Sequence, residues 1–270
     1  MKLNFTIWRR LLLLTIMVGF FAFTAEATSI SVTPPRLQFT ARAGEYFEGQ
    51  IEVYGSNEQE IRVKTYFMDW NIDPNGTVQF YSQPPPEARA ATPWLRMEPQ
   101  EFLLPAGGKR LVTISGRVPE GTRPGDYWSM FFVEFIPYSV LQTSGVRMSG
   151  RVGGSITITV PGTVAHRGRI DAFQIQQDLL NIQPRFTAQV TFTNEGDTIL
   201  EPTGQIQIKD FQNKTVGTMM IPEFKILPQS QRTLRLQEEL KLKPGNYIAI
   251  AILDYGGSKL AGYQRVFSVQ

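Results

Sequence analysis

Two stretches of the chain share one pattern: PGDYWSMFFVEF at residues 124–135 and PGNYIAIAIL at residues 244–253. Each opens with Pro-Gly, continues through a polar residue and a tyrosine, and runs into an apolar segment. Glycine permits a tight turn between two sheets. A tyrosine directly after such a turn, whose hydroxyl bonds back to the nearby backbone, is typical of immunoglobulin-like sandwiches. The pattern therefore predicts the same sheet-to-sheet corner at two places in the chain.

The segments before these corners repeat as well. Leu104-Pro105 corresponds to Leu227-Pro228, and the alternating run Phe47–Val53 corresponds to Phe186–Phe192. The order of the matched pieces is the same in both copies. One strand-turn-strand unit thus occurs twice, which indicates two tandem domains of one architecture.

Period-two alternation of apolar and polar residues runs through the chain and is the signal of half-buried strands. It is clearest at residues 47–53, 61–64, 112–115 and 205–209. Turn sequences such as Asp73-Pro74-Asn75-Gly76 separate the runs, and we find no amphipathic helix of ten residues or more. We predict an all-β chain of two tandem immunoglobulin-like β-sandwich domains.

The predicted domains are a signal peptide at residues 1–27, a first sandwich at 28–162 and a second at 163–270. Lys2, Arg9 and Arg10 precede an apolar run of about 13 residues, and Ala25-Glu26-Ala27 fits a cleavage site. The alternative is an uncleaved membrane anchor, but a bilayer needs about 20 residues. We expect a periplasmic protein, or alternatively an extracellular or cell-surface one, with no membrane span in the mature chain.

Composition narrows the class of partner. Removing the signal peptide leaves 24 basic and 23 acidic residues, a formal net charge of +1. No run of lysine or arginine indicates a nucleic-acid partner. The chain has no cysteine, so disulfides and cysteine-ligated zinc play no part in its fold.

No pattern typical of an enzyme stands out. The one histidine, His166, falls in the predicted linker between the domains, Pro161–Arg169, so a catalytic triad finds no support. The carboxylates are scattered along the sequence, so a glycosidase pair finds no support either. The run Asn71–Gly76 resembles the start of a calcium loop, but the twelfth position is Ser82 and the flanks look like strands. We interpret it as a hairpin turn and expect no catalytic residues, no metal and no cofactor.

The segment from Val146 to Val160 alternates over an unusual length, since typical strands have about 3–10 residues. One interpretation is an exposed edge strand that pairs with another polypeptide. The other is an ordinary strand whose apolar side chains face their own core. Under the first interpretation, the partner-binding residues on this segment are Val146, Met148, Val152, Ile156 and Ile158.

Residues 29–162 resemble the N-terminal domain of the periplasmic pilus-assembly chaperones, the PapD-like group. The matching pieces are Ser31–Leu37, Pro93–Arg96, Pro105-Ala106-Gly107, Tyr127–Pro137 and Val146–Pro161. The resemblance implies that the last strand is donated to an incomplete subunit. It also implies that two basic residues in the cleft between the domains anchor the subunit's C-terminal carboxylate.

Arg36 matches the first of these basic residues and is therefore a further candidate for partner binding. The second is normally a lysine on the last strand, where this chain has Ser155–Thr159. The second domain looks more like a generic bacterial envelope module. We thus expect a periplasmic chaperone or assembly factor that binds subunits of a pilus or other surface structure. The alternative is a structural or adhesive envelope protein without chaperone activity.

Overall fold

The computed structural model describes residues 29–55, 59–81, 83, 89–137, 149–178 and 185–270. The predicted signal peptide lies outside these ranges, and so do Val146 and Met148. Within them, the only helical segment is a single 3-10 turn at Thr92–Trp94, and no helix is long and apolar enough to cross a membrane.

The first sandwich contains strands β1 to β10. Their bounds are β1 Ile30–Thr33, β2 Arg36–Thr40, β3 Tyr46–Gly55, β4 Ile61–Ile72, β5 Val78–Tyr81, β6 Leu95–Glu98, β7 Glu101–Leu104, β8 Lys109–Arg117, β9 Gly125–Pro137 and β10 Gly150–Val160. One sheet has the order β1-β3-β8-β6, and the other has the order β2-β10-β9-β4-β5, with β7 also paired to β4.

The second sandwich contains strands β11 to β17. Their bounds are β11 Gly168–Asp178, β12 Arg185–Asn194, β13 Thr203–Lys209, β14 Thr215–Ile221, β15 Ser230–Glu239, β16 Gly245–Asp254 and β17 Ala261–Val269. Its sheets have the orders β11-β12-β15 and β14-β13-β16-β17. The prediction of an all-β chain with two tandem sandwiches is confirmed.

Each sandwich has its own core, built by the period-two alternation seen in the sequence. On β3, Ile51 and Val53 are fully buried, and on β12 the equivalent positions Val190 and Phe192 are fully buried. The two matched runs therefore occupy equivalent strands, and their apolar side chains point inward in both copies.

The two predicted corners have the same geometry. The Tyr127 hydroxyl donates to the carbonyl of Arg123 at 3.0 Å, and the Tyr247 hydroxyl donates to the carbonyl of Lys243 at 2.8 Å. Gly125 at the first corner has φ +126°, in the region that favours glycine. The hydroxyl bond satisfies a carbonyl where the chain leaves one sheet for the other.

Three glycines of β10 lie opposite phenylalanines of β9. In the antiparallel register Gly150 pairs with Phe135, Gly153 with Phe132 and Gly154 with Phe131. A Cβ atom on Gly154 would overlap both the Phe131 ring and the Pro35 carbonyl. The rings lie over the glycine backbone, so large side chains on one strand require no side chain on the other.

We expect Gly154→Ala to destabilise the first sandwich by about 1–3 kcal/mol, because the added methyl group overpacks a filled site. The measurement is the free energy of unfolding by urea. Gly217→Ala on β14 is the matched control, since its Cβ would meet only ordinary contacts of 3.5 Å or more. Equal stability of the two variants would contradict the packing described for β9 and β10.

Asp69 on β4 is a buried acid in the first sandwich. Its side chain is 4% exposed, and its Oδ1 atom has no hydrogen-bond partner among the described residues. Burial raises the pKa of this carboxyl above its ordinary value, and hydrogen bonds with Thr92 offset part of the effect. The folded protein therefore holds this proton more tightly than the unfolded chain does.

The raised pKa of Asp69 sets the sign of a pH effect. The contribution of Asp69 to the free energy of unfolding is present below its unfolded-state pKa and is lost as pH rises through its folded-state pKa. The lowered pKa values of Glu52, Asp73 and Glu101 act in the opposite direction and are common to wild type and variant. At pH 7.5 we expect Asp69→Asn to be more stable than wild type by about 1 kcal/mol, because the buried charge is gone. The advantage shrinks toward pH 4.5. Urea unfolding across this range checks it, and a difference independent of pH would contradict the assignment.

Candidate protein-binding site

The N-terminal half of β10 has one open edge. β10 pairs with β9 along its whole length, from Gly150 to Val160. Its pairing with β2 covers only Ser155 to Thr159, in parallel register. Among the described residues, no strand pairs with the other edge of residues 150–154.

The hydrogen-bond pattern identifies the unpaired backbone groups. The Ser155 amide donates to the Pro35 carbonyl at 3.1 Å, and the Ala41 amide donates to the Thr159 carbonyl at 3.2 Å. The backbone N–H and C=O groups of the odd-numbered residues of β10 therefore point toward β2, and those of the even-numbered residues point toward β9. It follows that the N–H and C=O groups of Arg151 and Gly153 point to the open edge.

Proline explains why β2 does not cover these groups. In this parallel register the next bond along would run from the amide of residue 35 to the Gly153 carbonyl. Residue 35 is a proline, which has no amide hydrogen. Just before it, at β1, the chain pairs instead with β3 of the other sheet. The open edge is thus a consequence of the local sequence Pro34-Pro35.

An aromatic cluster lies beside the open edge on the outer face of the sheet. The Phe132 ring stacks on Tyr66 with centroids 5.6 Å apart and meets Phe80 edge-on at 5.3 Å. The Arg151 guanidinium lies 4.9 Å from the Phe132 centroid, a cation–π contact. Phe80 remains 37% exposed. The cluster begins one strand inward from β10, since Phe132 lies on β9, Tyr66 on β4 and Phe80 on β5. Arg151 is the cation next to the free backbone groups.

The structure separates the candidate residues of the last strand. Ile156 and Ile158 are fully buried in the core of the first sandwich, so their side chains belong to that core and not to the candidate site. Val152 is half-buried against the same core. Val146 and Met148 lie outside the described residues. For the described part of the segment, the core-strand interpretation holds at Ile156 and Ile158, and the open edge is confined to residues 150–154.

Arg36 is exposed at the start of β2, level with Ser155 of β10. It forms no ion pair among the described residues. On the same face of the sheet, Gln38, Thr40, Thr157 and Thr159 follow toward the second sandwich. Gln38, Thr40, Thr157 and Thr159 form one wall of a cleft between the sandwiches, and Arg36 lies outside that wall.

The opposite wall comes from the second sandwich and includes Ile199, Glu201 and Lys225. The Lys225 Nζ atom lies 3.2 Å from Glu201 Oε1. The Arg232 guanidinium donates to the Lys225 carbonyl at 3.0 Å, and burial lowers the pKa of Arg232 below its ordinary value. Sequence reasoning missed Lys225, because nothing in its local sequence indicates that it faces the first sandwich. The cleft therefore has a basic group even though β10 has no lysine.

Asp126 joins the two walls of the cleft. Its side chain is 8% exposed. The Oδ1 atom accepts from Thr159 Oγ1 at 2.6 Å, and Oδ2 accepts from the Ile199 amide at 2.8 Å. The Asp126 amide donates to the Asp197 carbonyl at 2.9 Å, and Arg89 forms an ion pair of 2.7 Å with the Asp197 carboxylate. One buried carboxylate thus bonds to both sandwiches.

Apolar contacts fix the same junction. Trp70, Ile72 and Trp128 of the first sandwich bury against Leu227 of the second. The Trp128 indole donates to the Trp70 carbonyl at 2.7 Å. The β4–β5 turn also reaches across, since the Thr233 amide donates to the Pro74 carbonyl at 2.7 Å. The junction between the sandwiches, which we call the elbow, is therefore held by polar and apolar contacts together.

The end of β4 and the β4–β5 turn contain Asn71–Gly76, the segment whose sequence resembles the start of a calcium loop. The Asp73 Oδ1 atom accepts from the amides of Asn75 and Thr77, both at 2.9 Å. These bonds lower the pKa of Asp73. The carboxylate therefore serves the hairpin turn itself, as an Asx turn does.

Fold and site together define a two-sandwich protein that offers a strand edge and a polar cleft. Several of the solved structures similar to this chain are described as chaperones. A chaperone–tip adhesin complex of CFA/I fimbriae is 12% identical, with 88% of this chain and 98% of that chain covered at a TM-score of 0.49. The E. coli chaperone DraB is 15% identical, with 91% and 97% covered at 0.42. The Salmonella enterica SafA pilin–SafB chaperone complex is 12% identical, with 88% and 97% covered at 0.43.

In all three comparisons the sequence identity is 15% or less. No family model matches the chain, and a search of curated proteins finds no match.

We expect Asp126→Ala to loosen the elbow, because it removes a buried acceptor that serves both sandwiches. The loss of two hydrogen bonds to a charged group costs about 3 kcal/mol or more. Calorimetry checks the effect: wild type should unfold with the sandwiches coupled, and the variant should show two separated transitions. Glu239→Ala is the control, since its ion pair with Arg185 is exposed. Unchanged coupling in Asp126→Ala would show that the apolar contacts alone hold the elbow.

Proposed function

We propose that the protein is an exported, periplasmic chaperone or assembly factor that holds a subunit of a pilus or other surface structure by strand pairing. The observation that carries the proposal is the open edge of β10 at residues 150–154. Unpaired backbone groups at a sheet edge are a ready template for another chain, and the main-chain hydrogen bonds supply affinity. The work is binding and needs no catalytic group or cofactor.

The position of β2 supports one direction for the client strand. A strand paired to residues 150–154 would occupy the line along which β2 continues. If it runs parallel to β10, as β2 does, its C-terminal end meets Pro35 and Arg36. A guanidinium donates two parallel hydrogen bonds to a carboxylate in a bidentate pair. A client whose last strand ends in a free carboxylate therefore fits this edge.

Lys225 provides a second cation, on the far wall of the cleft, whereas Arg36 lies outside the cleft lining at the start of β2. Lys225 is paired with Glu201 at 3.2 Å, so a client carboxylate would compete with that residue. A lysine from the second sandwich would thus take the place of the lysine that β10 lacks. The fixed elbow supports this arrangement, because it holds the two walls in one relative position.

The alternative function is a structural or adhesive envelope protein. It is favoured by the residues Ser155–Thr159, which depart from the chaperone pattern. In that case the edge would pair permanently within a surface polymer. Fractionation separates the two: a free periplasmic pool supports the chaperone, and a pool that stays with surface polymer supports the alternative.

Two substitutions of one residue test strand pairing directly. Arg151→Pro removes an amide that points to the open edge, where proline is tolerated, and the preceding Gly150 has no Cβ to clash with the ring. Arg151→Ala removes the same side chain and keeps the amide. We expect the subunits that co-purify with tagged wild type from the periplasm to remain with Arg151→Ala. With Arg151→Pro we expect them to fall at least tenfold, measured by quantitative mass spectrometry.

The comparison isolates the backbone. Both variants lose the contact between Arg151 and Phe132, so the stability cost of that contact, about 0.5–1 kcal/mol, is shared. Their unfolding midpoints should accordingly be similar. Equal recovery of the same subunits by both variants would show that the open edge does not carry the binding.

A further inference from the structure

The outer face of the sheet β14-β13-β16-β17 in the second sandwich carries a central column of isoleucines and few charged residues. On β16, Ala249, Ala251 and Leu253 are buried in the core, so the alternate residues Ile248, Ile250 and Ile252 face away from it. These isoleucines are half-buried, and β13 and β17 flank them on the sheet. A column of three isoleucines on the solvent side of a sheet is unusual.

The registers place the neighbours of this column. The row of Ile252 holds Met220, Gln205 and Gly262, the row of Ile250 holds Thr218, Gln207 and Gln264, and the row of Ile248 holds Lys209 and Val266. Met220 is 67% exposed and Val266 is 60% exposed. Lys209 is the one charged residue in these three rows. We call this surface the isoleucine face.

We propose that the isoleucine face binds a second copy of the same chain, face to face, in a twofold dimer. Depletion of charge at the centre of a patch is the compositional mark of an interface. The size is that of a small interface. The rows of Ile248, Ile250 and Ile252 cross four strands, and the rows of Asn246 and Asp254 cross two, so 16 positions of about 4.8 Å by 6.8 Å span about 520 Å² per copy. That is about two thirds of the roughly 800 Å² that each partner contributes to a standard interface.

Charges at the two ends of the face make it self-complementary. Lys209 lies at one end of the rows and Asp254 at the other. Lys209 bonds to the neutral Asn213 at 3.2 Å, and Asp254 accepts from the Gly256 amide at 3.0 Å. Neither has an ion-pair partner among the described residues. A twofold axis that passes between the rows of Ile250 and Ile252 reverses the strand direction of the second copy. It brings the row of Lys209 in each copy over the row of Asp254 in its partner.

The other sheet of the second sandwich does not share these features. Its outer face carries Arg235 and the exposed Arg185–Glu239 ion pair. Among the described residues of the second sandwich, the exposed large apolar residues lie on β14, on β17 or in the segments leading into them: Phe211, Val216, Met220, Leu260, Tyr263 and Val266. Of these, Met220 and Val266 lie in the rows of the isoleucine face, whereas Tyr263 pairs with Ala251 on the opposite side of the sheet. The choice of the second copy as the occupant rests on the paired charges and on the area. The isoleucine face is also separate from the β10 edge, so the two proposals can fail independently.

Sedimentation equilibrium of the mature chain tests the dimer. We expect a concentration-dependent dimer for wild type, and we expect Ile250→Lys to raise its Kd by roughly 30-fold or more, as for a central interface residue. The control is Gln174→Lys on β11, which adds the same charge to the opposite sheet and should leave the Kd unchanged. A monomeric wild type at 100 µM, about tenfold above a 10 µM Kd, would overturn the proposal.

A charge reversal tests the register without touching the apolar residues. Lys209→Glu and Asp254→Lys should each raise the dimer Kd several-fold, because each places like charges together twice in the symmetric dimer. The double variant should restore the wild-type Kd. If the double variant is as weak as either single variant, or if Ile250→Lys dimerises like wild type, the proposed face-to-face dimer is wrong. Retained unfolding midpoints confirm that each variant is folded.

Discussion

The absence of an amide hydrogen on Pro35 is the constraint on which the open edge depends. β2 runs parallel to β10, and the bond that would extend their pairing past Ser155 needs a donor at residue 35. Proline has none, so β2 begins at Arg36, and no strand of the described residues pairs with the backbone groups of Arg151 and Gly153 that point to this edge. A sheet edge normally needs protection against pairing with other chains. Here the sequence keeps one short stretch open and places it beside an aromatic cluster.

The packing under that edge explains why the strand is so rich in glycine. Phe131, Phe132 and Phe135 of β9 lie against glycines of β10, so the edge strand contributes backbone and the neighbouring strand contributes side chains. A strand built in this way presents hydrogen-bonding groups with little side-chain bulk. The elbow adds a second condition for binding a client, because Asp126 holds the cleft wall of β10 at a fixed position relative to Ile199.

The fold could be predicted from the sequence because its signals are local. Alternation gives strands, and the Pro-Gly corners with Tyr127 and Tyr247 give the crossing points between sheets. The candidate site was harder to predict. Alternation along residues 146–160 shows that two faces differ but not which face meets the core, and Ile156 and Ile158 prove to be core residues. Lys225 could not be found from the sequence, because its position opposite β2 depends on how the two sandwiches meet.

The two proposed surfaces use different parts of the polypeptide. The β10 edge would bind through backbone groups, which are the same in every residue except proline, so its selectivity must come from the flanking cluster of Phe132, Tyr66 and Phe80 and from Arg36. The isoleucine face would bind through side chains, so its selectivity comes from shape and from the positions of Lys209 and Asp254. The two surfaces lie on different sandwiches. The residues that would form the dimer contact lie on β13, β14, β16 and β17, and they include neither β10 nor Arg36. The fixed elbow then holds each open edge at a defined position relative to the dimer axis.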